Sequence, residues 1–161
     1  MKDVINGFYE AFAKLDAESM VAYYHDDVVF EDPAFGRLEG ERAKNMWRML
    51  CESQKGKQFV VMHSGVEADE DSGKADWEAL YVFSKTKRNV RNQIRAKFRF
   101  EEGKIIAHAD DFNLYRWARQ ALGAAGYLIG WTSFFQKQLQ QQTNTLLDRF
   151  EVEQTKQKDA Y

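Results

Sequence analysis

The chain has 161 residues, 44% apolar and 14% aromatic, with 30% charged side chains and a formal net charge of −2. That is enough apolar material for one domain with a proper core, and the near-neutral charge provides no overall field toward nucleic acid. There is no run of about 18 apolar residues to span a membrane, and MKDVINGFYEAF lacks the order of a signal peptide, so a cytoplasmic protein is expected.

The first elements read as helices. Val4, Ile5, Phe8, Phe12 and Leu15 recur at three- and four-residue spacing, predicting an amphipathic helix over about residues 2–14. Asp16 can cap a second short helix that turns Met20, Val21 and Tyr24 inward. A short strand, Val28 to Phe30, then meets Glu31, Asp32 and Pro33. Proline cannot donate to a sheet ladder, so the strand should end there. Gly36 and Gly40 permit turns before a third helix carrying Ala43, Met46, Trp47 and Leu50, which runs to about Ser53.

From Phe59 the period changes to two. Strands are expected over Phe59–Ala68, Lys74–Lys85, Val90–Glu101 and Lys104–Leu114, joined by short turns as an antiparallel meander. Ile94, Ala96, Phe98 and Phe100 share one face of the third of these, with Arg91, Arg95, Lys97 and Arg99 on the other. The rest is helical: a short helix from Tyr115 to Leu122, glycine breaks at Gly123 and Gly126, and a long helix from about Tyr127. Leu128, Trp131, Phe135, Leu139, Leu146 and Phe150 fall near one stripe of it. Its polar centre, QKQLQQQTN, leaves it free to pack on a partner subunit or to project, and the tail after Glu153 should fray.

Helices followed by a meander indicate an α+β domain in which a twisted, curved antiparallel sheet wraps on the N-terminal helices. The space between is a cone with an apolar lining, suited to a small hydrophobic ligand. Residues 1–115 form this domain and 116–161 a C-terminal helical extension of it.

Chemistry concentrates in three residues. Asp32 ends a strand beside a rigid turn and near apolar residues, a setting that raises a carboxylate pKa. His108 and Asp110 are two apart on the last strand, so they share a face with Phe112. Together the three could move protons on a bound ligand. The plain alternatives are that Asp32 only organises its turn and that His108 and Asp110 face solvent. Cys51 reads as a packed thiol. A metal held by His108, Asp110 and His63 finds no supporting spacing, and Gly-rich phosphate loops, GxSxG and HExxH are absent, so no metal or cofactor is expected. KTKRNVR, residues 85–91, makes a basic hairpin able to bind nucleic acid or anionic lipid. Solvated charge paired with Glu67, Asp69, Glu78 and Glu101 is the simpler reading, so neither a nucleic-acid nor a membrane partner is expected.

The stretch FYEAFAKLDAESMVAYYHDDVVFEDPAFGRLEG resembles the start of the nuclear transport factor 2-like superfamily, which includes ketosteroid isomerases and SnoaL-like polyketide cyclases. WEALYVFSKTKRNVRNQIRAKFRFEEGKIIAHADDF is similar to its hairpin of long strands. The resemblance covers about residues 3–115 and implies a cone-shaped α+β roll. It implies that Asp32 occupies the general-base position of the isomerases, while Phe8 and Ala96 fall on the two oxyanion-donor positions. Neither side chain can donate a hydrogen bond, so steroid isomerase activity is expected to be absent or very weak. His108, Asp110 and Phe112 look more like the sheet-borne acid–base groups of cyclases and epoxide hydrolases. The expected pocket therefore holds Phe8, Phe12, Trp47, Tyr81, Ala96 and Phe112 around the three polar residues. Sheet-to-sheet homodimers are also implied, with a polar interface because of Arg91, Arg95 and Arg99.

Overall fold

The structure is a computed structural model, and it describes residues 1–159. The last two residues of the expected C-terminal extension lie outside the described residues.

Apolar periodicity accounts for the first layer. Helix α1 (Lys2–Ala13) buries Ile5, Phe8, Tyr9 and Phe12. Helix α2 (Ala17–Ala22) is capped by Asp16, whose carboxylate accepts from Ser19 N, and helix α3 (Gly40–Gln54) buries Ala43, Met46, Trp47 and Cys51. Each large side chain so buried contributes about 1.5–3 kcal/mol.

The second layer is a curved, unclosed six-stranded sheet, from edge to edge β2 (Gly36–Glu39), β1 (Tyr24–Asp32), β6 (Lys104–Asp111), β5 (Arg88–Glu101), β4 (Ser72–Phe83) and β3 (Phe59–Ala68). Strands β3, β4, β5 and β6 form the expected antiparallel meander. Two strands extend it. Strand β1 is longer than Val28–Phe30 and runs parallel to β6, while β2 folds back antiparallel to β1 through the Pro33 turn. The parallel pair arises because β1 and β6 are far apart in sequence, so no hairpin dictates their direction. Curvature accompanies register shifts in β1, β3 and the β5–β6 pair. The shift in β3 lies between Ser64 and Glu67, where Gly65 adopts φ +62°. An extra residue at such a point bends and twists the strand.

Along β5, Val90, Ile94, Ala96, Phe98 and Phe100 are buried and the intervening arginines and lysines exposed, as the alternation requires. The buried face closes on α1, α2 and α3 to form the core.

The C-terminal part departs from expectation. Helices α4 (Leu114–Leu122) and α5 (Ala124–Ile129) precede a long helix, α6 (Ser133–Asp159). The chain leaves helical geometry between Ile129 and Ser133, so Leu128 and Trp131 are displaced from the α6 stripe and are 75% and 69% exposed. Phe135 and Leu147 are the buried anchors of α6. Among the described residues the chain does not fray after Glu153, since the helix continues to Asp159.

Nor does α6 project. It lies across the Pro33 turn of its own chain. Gln136 and Gln140 donate to Pro33 O, Thr143 Oγ1 donates to Ala34 O at 2.8 Å, and Asn144 Nδ2 donates to Phe35 O at 2.9 Å. Arg42 on α3 reaches Glu151 at 2.6 Å and Asp148 at 2.9 Å. The polar centre of α6 thus supplies hydrogen-bond partners for a proline turn that has no ladder to complete.

Candidate active site

A cavity of about 590 Å³ opens between α3, the inner face of β4 and β5, and α6. Phe12, Trp47, Trp77, Tyr81, Leu139 and Phe150 contribute to its walls, and Asp32, Asp110 and Phe112 also line it. Trp117 of α4 closes one side and donates its indole N–H to Tyr81 Oη at 2.8 Å. A larger trough of about 940 Å³ lies on the outer sheet face. Charged residues such as Lys74 and Glu67, paired at 3.1 Å, wall it; neither Asp32 nor Asp110 lines it, and His108, which borders it, has a side chain 0% exposed.

Asp32 ends β1 because Pro33 follows. Its Oδ1 accepts from Ala34 N at 3.0 Å and Phe35 N at 2.6 Å, so it does organise the turn. It also lines the cavity, so the turn and cavity roles coexist. Burial pushes its pKa up to about 7, and the charge of Asp110 adds to the rise against the two opposing backbone hydrogen bonds.

His108 and Asp110 share the inner face of β6, as their spacing requires, and do not face solvent. Only Asp110 lines the cavity. The His108 side chain is 0% exposed and lies behind it, packed between the rings of Phe98 and Phe30. A single chain of hydrogen bonds runs through this wall. Trp47 Nε1 donates to Tyr24 Oη at 2.7 Å, and Tyr24 Oη meets His108 Nδ1 at 2.8 Å. His108 Nε2 meets Asp110 Oδ1 at 2.9 Å, where Trp77 Nε1 also donates at 3.2 Å.

Donor counting assigns the protons. Tyr24 Oη already accepts from Trp47, and His108 Nδ1 is the acceptor within its reach, so the tyrosine proton goes there. The imidazole hydrogen then sits on Nε2 and is donated to Asp110. Asp110 Oδ1 is thereby fixed as an acceptor, and Oδ2 has no hydrogen-bond partner among the described residues.

Phe8 and Ala96, expected in the pocket, are instead in the solid core. Phe8 is 0% exposed and stacks on Tyr24 at 5.3 Å, while Ala96 is 1% exposed and pairs with Asp110 across β5 and β6. The aromatic helices pack against the sheet closely enough to fill the cone at that level, and the cavity survives only nearer α6. Phe12, Trp47, Tyr81 and Phe112 do line it. Tyr24, Trp77 and the α6 residues carry no sequence motif that marks them for this site. Trp77 carried a signal, lying on the same strand face as Tyr81; Tyr24 reads equally well as the end of α2.

Two other groups are inert or unpaired. Burial raises the Cys51 thiol to about 12, in keeping with a packed side chain. Tyr9 Oη is buried without a hydrogen-bond partner among the described residues. No cluster of three or more metal-ligating side chains occurs among the described residues.

A helix-packed curved sheet with two carboxylates facing an apolar cavity defines a class of small α+β cavity proteins. Residues 5–108 match the SnoaL-like domain family, and the chain belongs to it. No curated protein matches the chain. Among solved structures it is similar to an LEH-like epoxide hydrolase of M. tuberculosis, at 21% identity over 78% of this chain and 92% of that one, with a TM-score of 0.61. A putative polyketide cyclase of Xanthomonas campestris pv. campestris aligns at 17% identity over 73% and 93%, TM-score 0.59. An NTF2-like protein of unknown function from Burkholderia pseudomallei aligns at 15% over 75% and 96%, TM-score 0.62. At these identities the likeness establishes the fold.

Proposed function

We propose that the cavity carries out acid–base chemistry on a small, largely apolar substrate bearing a carbonyl or epoxide oxygen. One observation carries this reading: Asp32 and Asp110 open to the same apolar cavity, where burial and mutual repulsion bring Asp32 to about 7. A carboxyl group poised there both gives and takes a proton at neutral pH. Asp32 is the proton-transfer group. Asp110, with Oδ1 held by His108 and Trp77, orients the reacting oxygen or a water through Oδ2. His108 is a positioning residue. The epoxide hydrolase and cyclase neighbours suggest hydrolase or cyclase chemistry, and Phe8 and Ala96 argue against steroid isomerisation, since neither donates a hydrogen bond. A 5-ene-3-ketosteroid is therefore expected to show no efficient turnover.

Native mass spectrometry of the purified protein should identify a bound apolar compound, and small cyclic epoxides and enolisable ketones form the first assay panel. Asp32→Asn keeps Oδ1 as the acceptor for Ala34 and Phe35, so the fold should persist while turnover is lost. Equal turnover by Asp32→Asn would remove Asp32 from the chemistry, and a compound bound but turned over by neither protein would reduce the cavity to a binding site. That second reading rests on the turn role of Asp32, which a non-catalytic aspartate would fill equally well.

A further inference from the structure

Five exposed large apolar side chains cluster at the α5–α6 junction, and none of them lines the cavity. Tyr127, Leu128, Ile129, Trp131 and Phe134 are between 42% and 75% exposed within eight consecutive positions. Contiguous apolar exposure of this kind marks an interaction surface rather than scattered surface residues.

The junction is built, not loose. A Cβ on Gly126 would fall 2.0 Å from Ala118 O, and one on Gly130 would fall 2.6 Å from Ala118 Cβ. These glycines seat α5 tightly on α4 and leave Tyr127 to Ile129 facing outward. The backbone at the turn is satisfied locally. Trp131 Nε1 donates to Leu128 O at 3.2 Å, and Thr132 Oγ1 donates to Ile129 O at 2.6 Å. The indole and two helix-ending carbonyls can therefore leave water without stranding a donor or acceptor, the condition that hydrocarbon imposes on polar groups.

Along the chain, the stretch that carries this surface is charged with one sign only. Residues 112–147 contain no aspartate or glutamate, but they contain Arg116, Arg119 and Lys137. Arg119 stacks over the rings of Tyr115 and Tyr127 at 4.8 and 5.2 Å. The β4–β5 hairpin, with exposed Lys85, Lys87 and Arg88, lies against the C-terminal end of α4, where Arg88 Nε donates to Gln120 O at 2.8 Å. Glu78 is the acid that faces Arg116, and it is already held by Arg91 at 2.7 Å. A second copy of this surface would set like charges against each other in a two-fold contact.

We propose that the α5–α6 junction is a peripheral docking surface for an anionic lipid bilayer, with Leu128, Trp131 and Phe134 entering the interface and Lys85, Lys87 and Lys137 facing the headgroups. Aromatic and aliphatic side chains ringed by cations bind such surfaces through apolar burial plus headgroup attraction. No helix among the described residues is long and apolar enough to cross a membrane, and surface docking needs none. On the acid–base reading above, which this consequence rests on, docking sets α4 and α6, both of which wall the cavity, at the source of an apolar substrate.

Co-sedimentation with equimolar phosphatidylcholine–phosphatidylglycerol vesicles tests this directly. The full chain should bind them, bind pure phosphatidylcholine weakly, and dissociate as salt rises. Leu128→Ser/Trp131→Ser/Phe134→Ser should weaken binding about tenfold or more. Lys85→Glu/Lys87→Glu/Lys137→Glu leaves the apolar residues and the cavity untouched and should weaken it similarly while flattening the salt dependence. Asp32→Asn should bind as wild type does, so failure of the catalytic reading and failure of docking are separable. Wild-type protein that ignores anionic vesicles, or variants that bind unchanged, overturns the proposal. So does sedimentation showing a lipid-free dimer that the triple serine variant breaks, which would assign the surface to a second copy.

Discussion

The two walls of the cavity are held by different physics. The sheet wall is a closed polar chain, Trp47–Tyr24–His108–Asp110–Trp77, sealed among aromatic rings. The α6 wall is anchored by Phe135 and Leu147 and tied down by separate side-chain bonds to the carbonyls of Pro33, Ala34 and Phe35. In the first, each member needs its neighbours, because a broken bond leaves a buried polar group unpaired. In the second, the bonds are only part-buried and end on three separate carbonyls, so losing one strands less, although Asn144 also accepts from Arg42. One wall fixes the orientation of a carboxylate; the other closes a cavity and can yield locally.

Removing the keystone of the sheet wall should have the largest effect. His108→Ala deletes a fully buried ring and strands Tyr24 Oη and Asp110, at a cost of about 3–5 kcal/mol by chemical denaturation. A loss under about 1 kcal/mol would mean that the chain is not closed as described.

The next effect is the pH dependence of Asp32, which belongs to both walls. Its folded pKa, about 7, lies above the ordinary 3.8, so between these values the folded state binds more protons than the unfolded state. Its contribution is fully present below about 4 and is lost as pH rises through about 7. A shift from 3.8 to about 7 corresponds to about 4 kcal/mol. Asp32→Asn should therefore flatten the stability profile between pH 4 and 8 and be more stable than wild type at the upper end. If Asp32 acts as the base, turnover should rise through about pH 7; if it acts as the acid, turnover should fall there.

On the α6 wall, Asn144→Ala and Thr143→Ala should each cost about 1 kcal/mol, and the double variant should be additive within about 0.5 kcal/mol. Tyr24→Phe combined with Trp77→Phe should instead depart from additivity, since both act through His108 and Asp110. Equal coupling in the two walls would erase the distinction between them. The smallest effect expected is that of Tyr9→Phe. It removes a buried hydroxyl with no partner and should be neutral or stabilise by up to about 1 kcal/mol.

The contrast also explains what was legible. Periodicity is a local property, and α1, α3 and the meander β3–β6 follow it within a few residues, as does the buried face of β5. Pro33 marks the end of β1 for the same local reason. The shared inward face of His108 and Asp110 follows from their spacing once the sheet closes over the helices. What α6 does was not legible. Its central residues are polar, and nothing local says that Gln140, Thr143 and Asn144 will meet carbonyls more than a hundred residues away.

By itself the sequence determined the α+β class, the meander, the turn that presents Asp32 and the parity of β6, because these depend on contacts between near neighbours along the chain. The tertiary structure alone decided the rest: that β1 lies parallel to β6, that His108 sits behind Asp110 rather than in the cavity, that Phe8 and Ala96 are core, and that α6 closes the site. Each of these depends on which side chains fill space first. The rings of Phe8, Tyr24 and Trp47 occupy the depth of the cone, so the remaining volume, and the chemistry that can use it, lies under α6.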